Sequence, residues 1–446
     1  MSLQAVILAG GIGKRIAPLG VNRPKAMFEI MGKPLVQHVL AMVRAADVGI
    51  DDVVLVIGPG DSLIQAHLGT GDALGMRLRY VVQEQPLGQA NALLTARELV
   101  RGNFLVLNAN DVFDPALIAD LSCLGTGSSL DVGLVGRPVD NPNKFGVMAF
   151  DAGGRLTGVV EKPPVGQEPS NTAVVGLYYF SPNIWAALDD TPLAESDDQL
   201  ERAYGKLISE GGGGYVRYDG PFASYKYPWD LLAINDLILR RSATRRISET
   251  ANISPLAVVD GAVVIEDGVR VLEHAVIRGP AYIGRNTIIG NSSLLRGGTS
   301  VGQNCVVGFG TEISHSILGN DCWTHKNFIG DSIVSDNCSF GAGTITANLR
   351  FDERLVEVRV GDERVSSGTE HFGMIMAEDC RTGCNAVILP GVKIGPNSVV
   401  GAGVVLKSDL PPGQAALLRS DAYEARPNRS DISALSRKER MKKLKR

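Results

Sequence analysis

The first residues that suggest chemistry form a loop near the start of the chain, LAGGIGKRIAPLGVNRPKAM, residues 8–27. Glycines let backbone N–H groups approach phosphate oxygens closely, and basic side chains offset the negative charge of a triphosphate. The segment therefore predicts a phosphate-binding loop. Its candidate residues are Gly10, Gly11, Gly13, Lys14, Arg15 and Lys25.

Two common phosphate-binding motifs do not fit this loop. A dinucleotide-binding fingerprint requires glycine where this chain has Ile16, and a P-loop requires Ser or Thr after its lysine, where this chain has Arg15. The loop is thus neither a Rossmann dinucleotide motif nor a Walker motif.

The elements around the loop predict an α/β domain. From Gln4 to about Asn235, short apolar β-type runs such as DDVVLVIG and NFLVLNAND alternate with helical patterns such as LVQHVLAMVRAA. This alternation favours a Rossmann-like parallel sheet covered by helices, with ligands outside the carboxyl ends of the strands. We assign residues 1–245 to this domain.

Beyond Ser248 every sixth residue is apolar over a long stretch. Hexapeptide repeats of this kind are typical of a left-handed parallel β-helix, in which the sixth residue points inward and glycine or asparagine turns the corner. The phase slips near Leu318 and returns at Ile388. We assign residues 246–425 to this all-β domain and 426–446 to a basic tail. The periodic positions are Ile253, Val259, Ile265, Val271, Ile277, Ile283, Ile289, Leu295, Val301, Val307 and Ile313.

Composition limits the classes of partner. Of the 446 residues 44% are hydrophobic and 21% charged, and the net charge of -4 gives no handle for nucleic acid. No apolar run is long enough to cross a membrane, which predicts a cytoplasmic protein without a membrane partner. The six cysteines lack metal-site spacing and are expected to be reduced thiols.

The glycine loop resembles the signature of the sugar-1-phosphate nucleotidylyltransferase family, L-A-G-G-x-G-x-R followed by P-L and R-P-K-A. The resemblance implies that Leu8 and the loop glycines lie against the nucleotide. It also implies that Arg15 and Lys25 act catalytically on the triphosphate and the leaving pyrophosphate, whereas Lys14 is left open and could face solvent.

Two further segments resemble the nucleotide side of this family. In QEQPLGQANAL, Gln83 and Gly88 match the base-reading loop, although Gln89 replaces a common threonine; a plain loop entering a helix is the alternative. In NFLVLNAND, Asp111 matches the aspartate that binds Mg2+, with Asn110 in place of the usual glycine. A helix-capping role is the alternative for Asp111.

Other segments resemble the sugar side. KFGVMAF and VVEKPP place Gly146 under the sugar, Glu161 at its hydroxyls and Lys162, as a catalytic residue, near its phosphate. An exposed ion pair is the alternative for Lys162. In SNTAVVGLYYF, Asn171 and Val174 resemble the glucose-1-phosphate thymidylyltransferase branch, which tilts the sugar toward glucose.

The sequence departs from the family at PFASYKYPWDLL. Ser224 and Tyr225 stand where the family places a second metal-binding aspartate. Asp230 is the nearest acid, and it is either a substitute metal ligand or a helix cap.

A segment of the second domain, HKNFIGDSIVSDNCSFGAGTITANLRFDE, resembles the acetyltransferase half of bifunctional archaeal and bacterial enzymes. The resemblance makes His325 a general base and places Asn348 in the acyl-acceptor site, with acetyl-CoA as co-substrate. Phe328, Ser339, Arg354 and Glu357 depart from the family pattern. A scaffold without this activity is therefore the alternative.

Together these resemblances predict a Mg2+-dependent transfer of a nucleotidyl group from dTTP or UTP to glucose-1-phosphate or an N-acetylhexosamine-1-phosphate. An enzyme that also acetylates an amino-sugar phosphate is one alternative, and a non-catalytic interaction subunit with the same domain plan is another. The β-helix implies a homotrimer.

Overall fold

The computed structural model describes residues 3–11, 13–21, 23–127, 129–192, 198–242 and 244–419. The predicted basic tail, residues 426–446, lies outside the described residues. No helix in the described ranges is both long and apolar enough to cross a membrane.

The first part of the chain alternates strands and helices, as predicted. Short 3₁₀ turns at Lys14–Ile16 and Lys25–Met27 shape the loop after the first strand. The elements are β1 Gln4–Leu8, β2 Glu29–Ile30, β3 Lys33–Pro34, α1 Leu35–Ala45, β4 Asp52–Ile57, α2 Ser62–Leu68, β5 Arg77–Val82, α3 Gln89–Ala96, β6 Phe104–Asn108, β7 Asp111–Phe113, α4 Ala116–Thr126, β8 Val132–Pro138, β9 Gly146–Phe150, β10 Leu156–Glu161, β11 Thr172–Phe180, α5 Asn183–Asp189, α6 Gln199–Leu207, β12 Gly213–Arg217, β13 Phe222–Ser224 and α7 Asp230–Arg241.

The central sheet has the order β10-β9-β11-β6-β1-β4-β5, and β8 joins β11 to β12. β1 runs parallel to β4 and β6, whereas β11 runs antiparallel to β6, β8 and β9. The predicted parallel arrangement therefore holds for the half that carries the glycine loop, and the sugar side is antiparallel. Along β1, Ala5 and Ile7 pack into one core and Val6 into another, as expected for a sheet covered on both faces.

The second part of the chain is a coil of short parallel strands with three faces. One face contains β14 Arg246–Ile247, β17 Val263–Ile265, β20 Ala281–Ile283, β23 Thr299–Val301, β26 Ile317–Leu318, β28 Ile333–Val334, β33 Ile375–Met376 and β36 Lys393–Ile394. A second contains β15 Asn252–Ile253, β18 Arg270–Val271, β21 Ile288–Ile289, β24 Val306–Val307, β29 Ser339–Phe340, β34 Arg381–Thr382, β37 Val399–Val400 and β39 Ala415–Ala416. The third contains β16 Val258–Asp260, β19 Val276–Arg278, β22 Leu294–Leu295, β25 Glu312–Ser314, β27 Phe328–Gly330, β30 Ile345–Thr346, β35 Val387–Ile388 and β38 Val405–Leu406.

The inward positions of this coil are those that the six-residue period predicts. From Ile265 to Ile313 each of them is buried in a single apolar core, and Ile253 and Val259 pack against its end. The predicted phase slip is present, because Val301 pairs with Leu318 and Leu318 with Val334, which shortens the coils there. An excursion then carries the hairpin β31 Glu357–Val360 and β32 Glu363–Ser366.

The two parts of the chain share an interface. Asn235 of α7 is fully buried; its amide nitrogen donates to the Gly298 carbonyl at 2.9 Å and its amide oxygen accepts from the Ser300 hydroxyl at 2.6 Å. Val356 and Val358 pack into the core of the α/β part. The β-helix therefore buttresses the α/β domain on the side of α7.

Candidate active site

The candidate site lies where β1 and β6 end. The two strands are parallel neighbours, so their carboxyl ends meet at one edge of the sheet, with Leu8 paired to Asn108. A cavity of about 520 Å³ opens at this edge, large enough for a nucleotide-sized ligand. Its walls are Leu8, Ala9, Gly10, Gly11, Gly13, Lys14, Arg15, Ile16, Lys25, Ala26, Gln83, Pro86, Gly88, Gln89, Ala92, Asn108, Ala109, Asn110 and Lys226.

The glycine loop forms one wall of the cavity. Gly13 has a φ of 67° and Gly88, across the cavity, a φ of 95°, both in the region that favours glycine. A Cβ on Gly10 would lie 3.2 Å from the backbone nitrogen of Gly58. Gly11 has open space where its side chain would be, so a ligand can approach its backbone closely.

The three candidate cations of the glycine loop, Lys14, Arg15 and Lys25, line this cavity. The Lys25 Nζ lies 5.3 Å from the centre of the Tyr225 ring, and the Arg15 guanidinium carbon lies 5.6 Å from that of Tyr227. Burial lowers the pKa of Lys25 to about 8, with Arg15 adding a smaller repulsion and Asp111 opposing it. An anion in the cavity would raise this pKa again and so favour the charged form of Lys25.

Gln83 stands at the predicted base-reading position and is buried. Its amide nitrogen donates to the Gly88 carbonyl at 3.1 Å and to the Asn91 side-chain oxygen at 2.9 Å. Because both amide hydrogens are used within the loop, the oxygen of Gln83 is the atom left for a base.

Asp111 is buried at the end of the loop after β6, where hydrogen bonds hold its carboxylate. Oδ1 accepts from the Ser224 hydroxyl at 2.5 Å and from Asn110 at 3.1 Å, and Oδ2 accepts from Asn108 at 3.0 Å. Gln89 donates to Asn108 at 3.1 Å, which links the base-reading loop to this carboxylate. Burial raises the pKa of Asp111, and the hydrogen bonds from Ser224 and Asn108 oppose that effect.

Asp230 is the first residue of α7. Its Oδ2 accepts hydrogen bonds from the backbone nitrogens of Lys226 and Tyr227 at 2.8 and 2.7 Å, so the carboxylate stabilises the turn before the helix. Burial raises its pKa, although these two bonds and the charge of Lys25 lower it in part. Neither bond goes to a backbone nitrogen of α7 itself, and the carboxylate lies near the charges of Lys25 and Lys226.

The acidic side chains of this site can be compared with the ligands that Mg2+ prefers. Within the described ranges no group of three or more acidic, histidine or cysteine side chains could hold a metal. Mg2+ is, however, commonly held by one or two carboxylates together with substrate phosphates and waters. The single buried carboxylate of Asp111 fits an ion that takes its other ligands from phosphate and water.

The sugar-side residues come together at β9, β10 and β11. A Cβ on Gly146 would lie 2.9 Å from Glu161 Oε2 and 3.9 Å from Val174 Cγ2, so these three residues surround one small space. Lys162 forms a 3.3 Å ion pair with Glu161, with 69% of its side chain exposed. Asn171, just before β11, is exposed.

His325 and Asn348 lie far apart on the β-helix. His325 precedes β27 and is exposed, whereas Asn348 follows β30, the strand that pairs with β27 through Phe328 and Ile345. The Asn348 amide donates to Asp331 at 2.6 Å, and Asp331 also binds His315. One chain therefore places the two residues at opposite ends of a face and does not bring them into one site.

Sequence reasoning missed two residues of the cavity. Lys226 supplies a further cation, and Asn108 joins Gln89 to Asp111. Lys226 comes two residues after Ser224, where the sequence departs from the family, so that departure was the available signal. Asn108 ends a buried strand at the carboxyl edge, which is the position expected of a site residue.

Family models match both parts of the chain. The nucleotidyl transferase model matches residues 4–219, and the bacterial transferase hexapeptide model, of six repeats, matches residues 280–315 and 373–408. The first match contains the glycine loop, Asp111 and the sugar-side strands.

Curated relatives match almost the whole chain. The bifunctional protein GlmU of Methanococcus maripaludis is 32% identical over 431 residues, covering 92% of this chain and 95% of that protein. The bifunctional sugar-1-phosphate nucleotidylyltransferase/acetyltransferase of Sulfurisphaera tokodaii is 28% identical over 421 residues, covering 92% and 99%. A solved structure of a protein assigned as a glucose-1-phosphate thymidylyltransferase from Bacillus anthracis is 21% identical with a TM-score of 0.47, covering 53% of this chain and 94% of its own.

Proposed function

This chain belongs to the GlmU-like family of nucleotidyltransferases that carry a hexapeptide-repeat domain, and from that premise we propose its substrates and site residues. The cavity at the carboxyl edge binds dTTP or UTP, and the space at Gly146 and Glu161 binds glucose-1-phosphate or an N-acetylhexosamine-1-phosphate. The observation that carries the proposal is the cavity itself, in which the loop glycines and four cations line one space at the end of β1.

In the reaction a phosphate oxygen of the sugar phosphate forms a bond to the α-phosphorus. The bond from that phosphorus to the bridging oxygen breaks, and pyrophosphate leaves with the electron pair. The chain needs no nucleophile of its own, so its work is to position two anions and neutralise their charge. Arg15 and Lys25 act on the triphosphate and the leaving pyrophosphate, and Lys162 on the sugar phosphate.

Magnesium, when bound with the triphosphate, supplies positive charge at the phosphate oxygens. Asp111 is the ligand we propose from the protein, and Asp230 contributes by fixing the turn that carries Lys226. The oxygen of Gln83 and the backbone of Gly88 face the base. We also propose that the α/β domain ends at residue 245 and the β-helix domain at residue 425.

The test is a panel of nucleoside triphosphates against sugar phosphates, with pyrophosphate release as the readout. We expect release with UTP or dTTP only when a hexose-1-phosphate is present. Release with no pair in the panel would reject the substrate assignment, and release with ATP or GTP alone would reject the role of Gln83.

A second activity, acetyl transfer from acetyl-CoA to an amino-sugar phosphate, is supported by the exposed side chain of His325. Within the described residues its ring makes no hydrogen bond, so it is available as a base. Since His325 and Asn348 lie at opposite ends of a face, an acceptor site that uses both needs a second copy of the chain, in keeping with a homotrimer. Acetyl-CoA consumption with glucosamine-1-phosphate or galactosamine-1-phosphate, compared between wild type and His325→Ala, tests this activity. Consumption that is absent from the wild type would leave the β-helix as a scaffold.

A further inference from the structure

Lys226 is a cation of the cavity to which the proposed mechanism gives no contact with the phosphates. It follows β13, whose last residue, Ser224, pairs with Asp111 of β7. The side chain of Lys226 lines the nucleotide cavity, and its charge acts on Lys25, Asp111 and Asp230. Its Nζ also lies 5.2 Å from the centre of the Phe145 ring. Phe145 immediately precedes Gly146, so Lys226 stands between the nucleotide side and the sugar side.

The charge balance of the cavity supports a role for this cation. Among its described lining residues are the cations Lys14, Arg15, Lys25 and Lys226, and none is an acid. Both nearby carboxylates accept hydrogen bonds from the protein, Asp111 from three side chains and Asp230 from two backbone nitrogens. A triphosphate in this cavity therefore meets positive side chains before it meets any carboxylate.

Ser224 limits how a second divalent cation could bind beside Asp111. Its hydroxyl donates to Asp111 Oδ1 at 2.5 Å, which takes up an oxygen that would otherwise be open to a metal ion. Serine also brings no negative charge, so the site has one carboxylate fewer than a pair of aspartates would supply. With fewer acidic ligands, bound metal ions would supply less positive charge at this point. The side chain of Lys226, two residues after Ser224, supplies positive charge there instead.

We propose that Lys226 is a catalytic residue of nucleotidyl transfer that contacts the phosphates where the sugar phosphate meets the α-phosphorus. There it neutralises part of the charge that a second bound cation would offset. Lys226 acts through its charge alone, while the new phosphorus–oxygen bond forms and pyrophosphate leaves as described above. The inference rests on the proposed function, and it adds that triphosphate binding by this chain depends only weakly on divalent cation.

Binding of a non-hydrolysable triphosphate tests this role apart from turnover. The probe is the α,β-methylene analogue of whichever of UTP and dTTP the wild type uses, titrated by calorimetry in EDTA and in Mg2+. Loss of one charge-assisted hydrogen bond weakens affinity about tenfold or more. We expect that loss in EDTA for Lys226→Ala and much less for Lys226→Arg. Ser224→Asp should weaken binding in EDTA and increase the gain from Mg2+.

Lys206→Ala is the matched control, because Lys206 forms a surface ion pair with Asp190 and does not line the cavity. If Lys226→Ala binds in EDTA as tightly as Lys206→Ala while the wild type binds and turns over, the role of Lys226 is rejected and the proposed function stands. If the wild type neither binds the analogue nor releases pyrophosphate, the proposed function fails as well. Equal melting temperatures of the variants exclude misfolding.

Discussion

At the scale of single residues, the site concentrates positive charge in one cavity. Lys25 illustrates the consequence, because burial, the largest of several effects, helps to bring its pKa down to about 8. Tyr225 beneath it is fully buried, and its ring offers a favourable surface to the ammonium group. A bound anion favours the charged form of a lysine held in this way, which suits the role that we propose for Lys25 at the leaving pyrophosphate.

Removing this charge should cost rate and leave the fold intact. We expect Lys25→Ala and Arg15→Ala each to lower kcat/KM for nucleotidyl transfer by about 10²- to 10³-fold, as for other preorganised charges at a reacting centre. Initial rates of pyrophosphate release measure the effect. Rates within tenfold of wild type would show that these cations do not act on the reacting phosphates.

At the scale of secondary-structure elements, the sequence predicted periodic features best. The inward residues of the β-helix follow from the six-residue period alone, and the strand of β1 follows from its apolar run. The antiparallel half of the sheet could not be predicted, because an apolar run indicates a strand but not whether that strand runs parallel or antiparallel to its neighbours. Lys226 was missed because the pairing of β7 with β13, far apart in the chain, brings it to the cavity. Asn108 was missed because its role depends on side-chain hydrogen bonds to Gln89 and Asp111, which an apolar strand pattern does not show.

The stacked coils make a prediction of their own. Ile289, in β21, is fully buried between neighbouring coils, whereas Val258, in β16, is 53% exposed. Ile289→Ala should lower the free energy of unfolding by about 2–5 kcal/mol, because a buried aliphatic side chain leaves a cavity. Val258→Ala, the control, should change it far less. Urea denaturation of both variants measures the difference, and equal midpoints would contradict the inward assignment of the period.

At the scale of the whole molecule, charged groups join the two domains. His315 of the β-helix binds Asp331 at 2.7 Å through Nδ1 and lies 3.3 Å from Asp236 of α7 through Nε2. These two carboxylates, Asp236 first, raise the pKa of His315 to about 9, against a partial opposing effect of burial. Arg23, in the loop that carries Lys25, forms an ion pair with Asp336 of the β-helix. The β-helix thus contacts both the last helix and the phosphate-binding loop of the first domain.

The raised pKa of His315 predicts how stability depends on pH. The folded chain holds a proton on His315 that the unfolded chain releases near pH 6.5, so the stabilisation is fully present below about 6.5. It is lost as the pH rises through about 9. We expect the melting temperature of the wild type to fall by a few degrees more than that of His315→Ala between these pH values. If the melting temperatures of the two proteins fall equally with pH, the contact of His315 with Asp236 and Asp331 does not stabilise the packing of the two domains.

The central claim is that the cavity at the end of β1 moves a nucleotidyl group from a triphosphate to a sugar phosphate. The most direct test of this claim is to incubate the protein with UTP or dTTP labelled at the α-phosphorus and with glucose-1-phosphate or N-acetylglucosamine-1-phosphate, and to identify the labelled product. We predict that the label appears in a nucleotide sugar with one pyrophosphate released per transfer, and that Lys25→Ala slows both equally. Label found only in free nucleoside monophosphate, or transferred at the same rate by Lys25→Ala, would contradict the account.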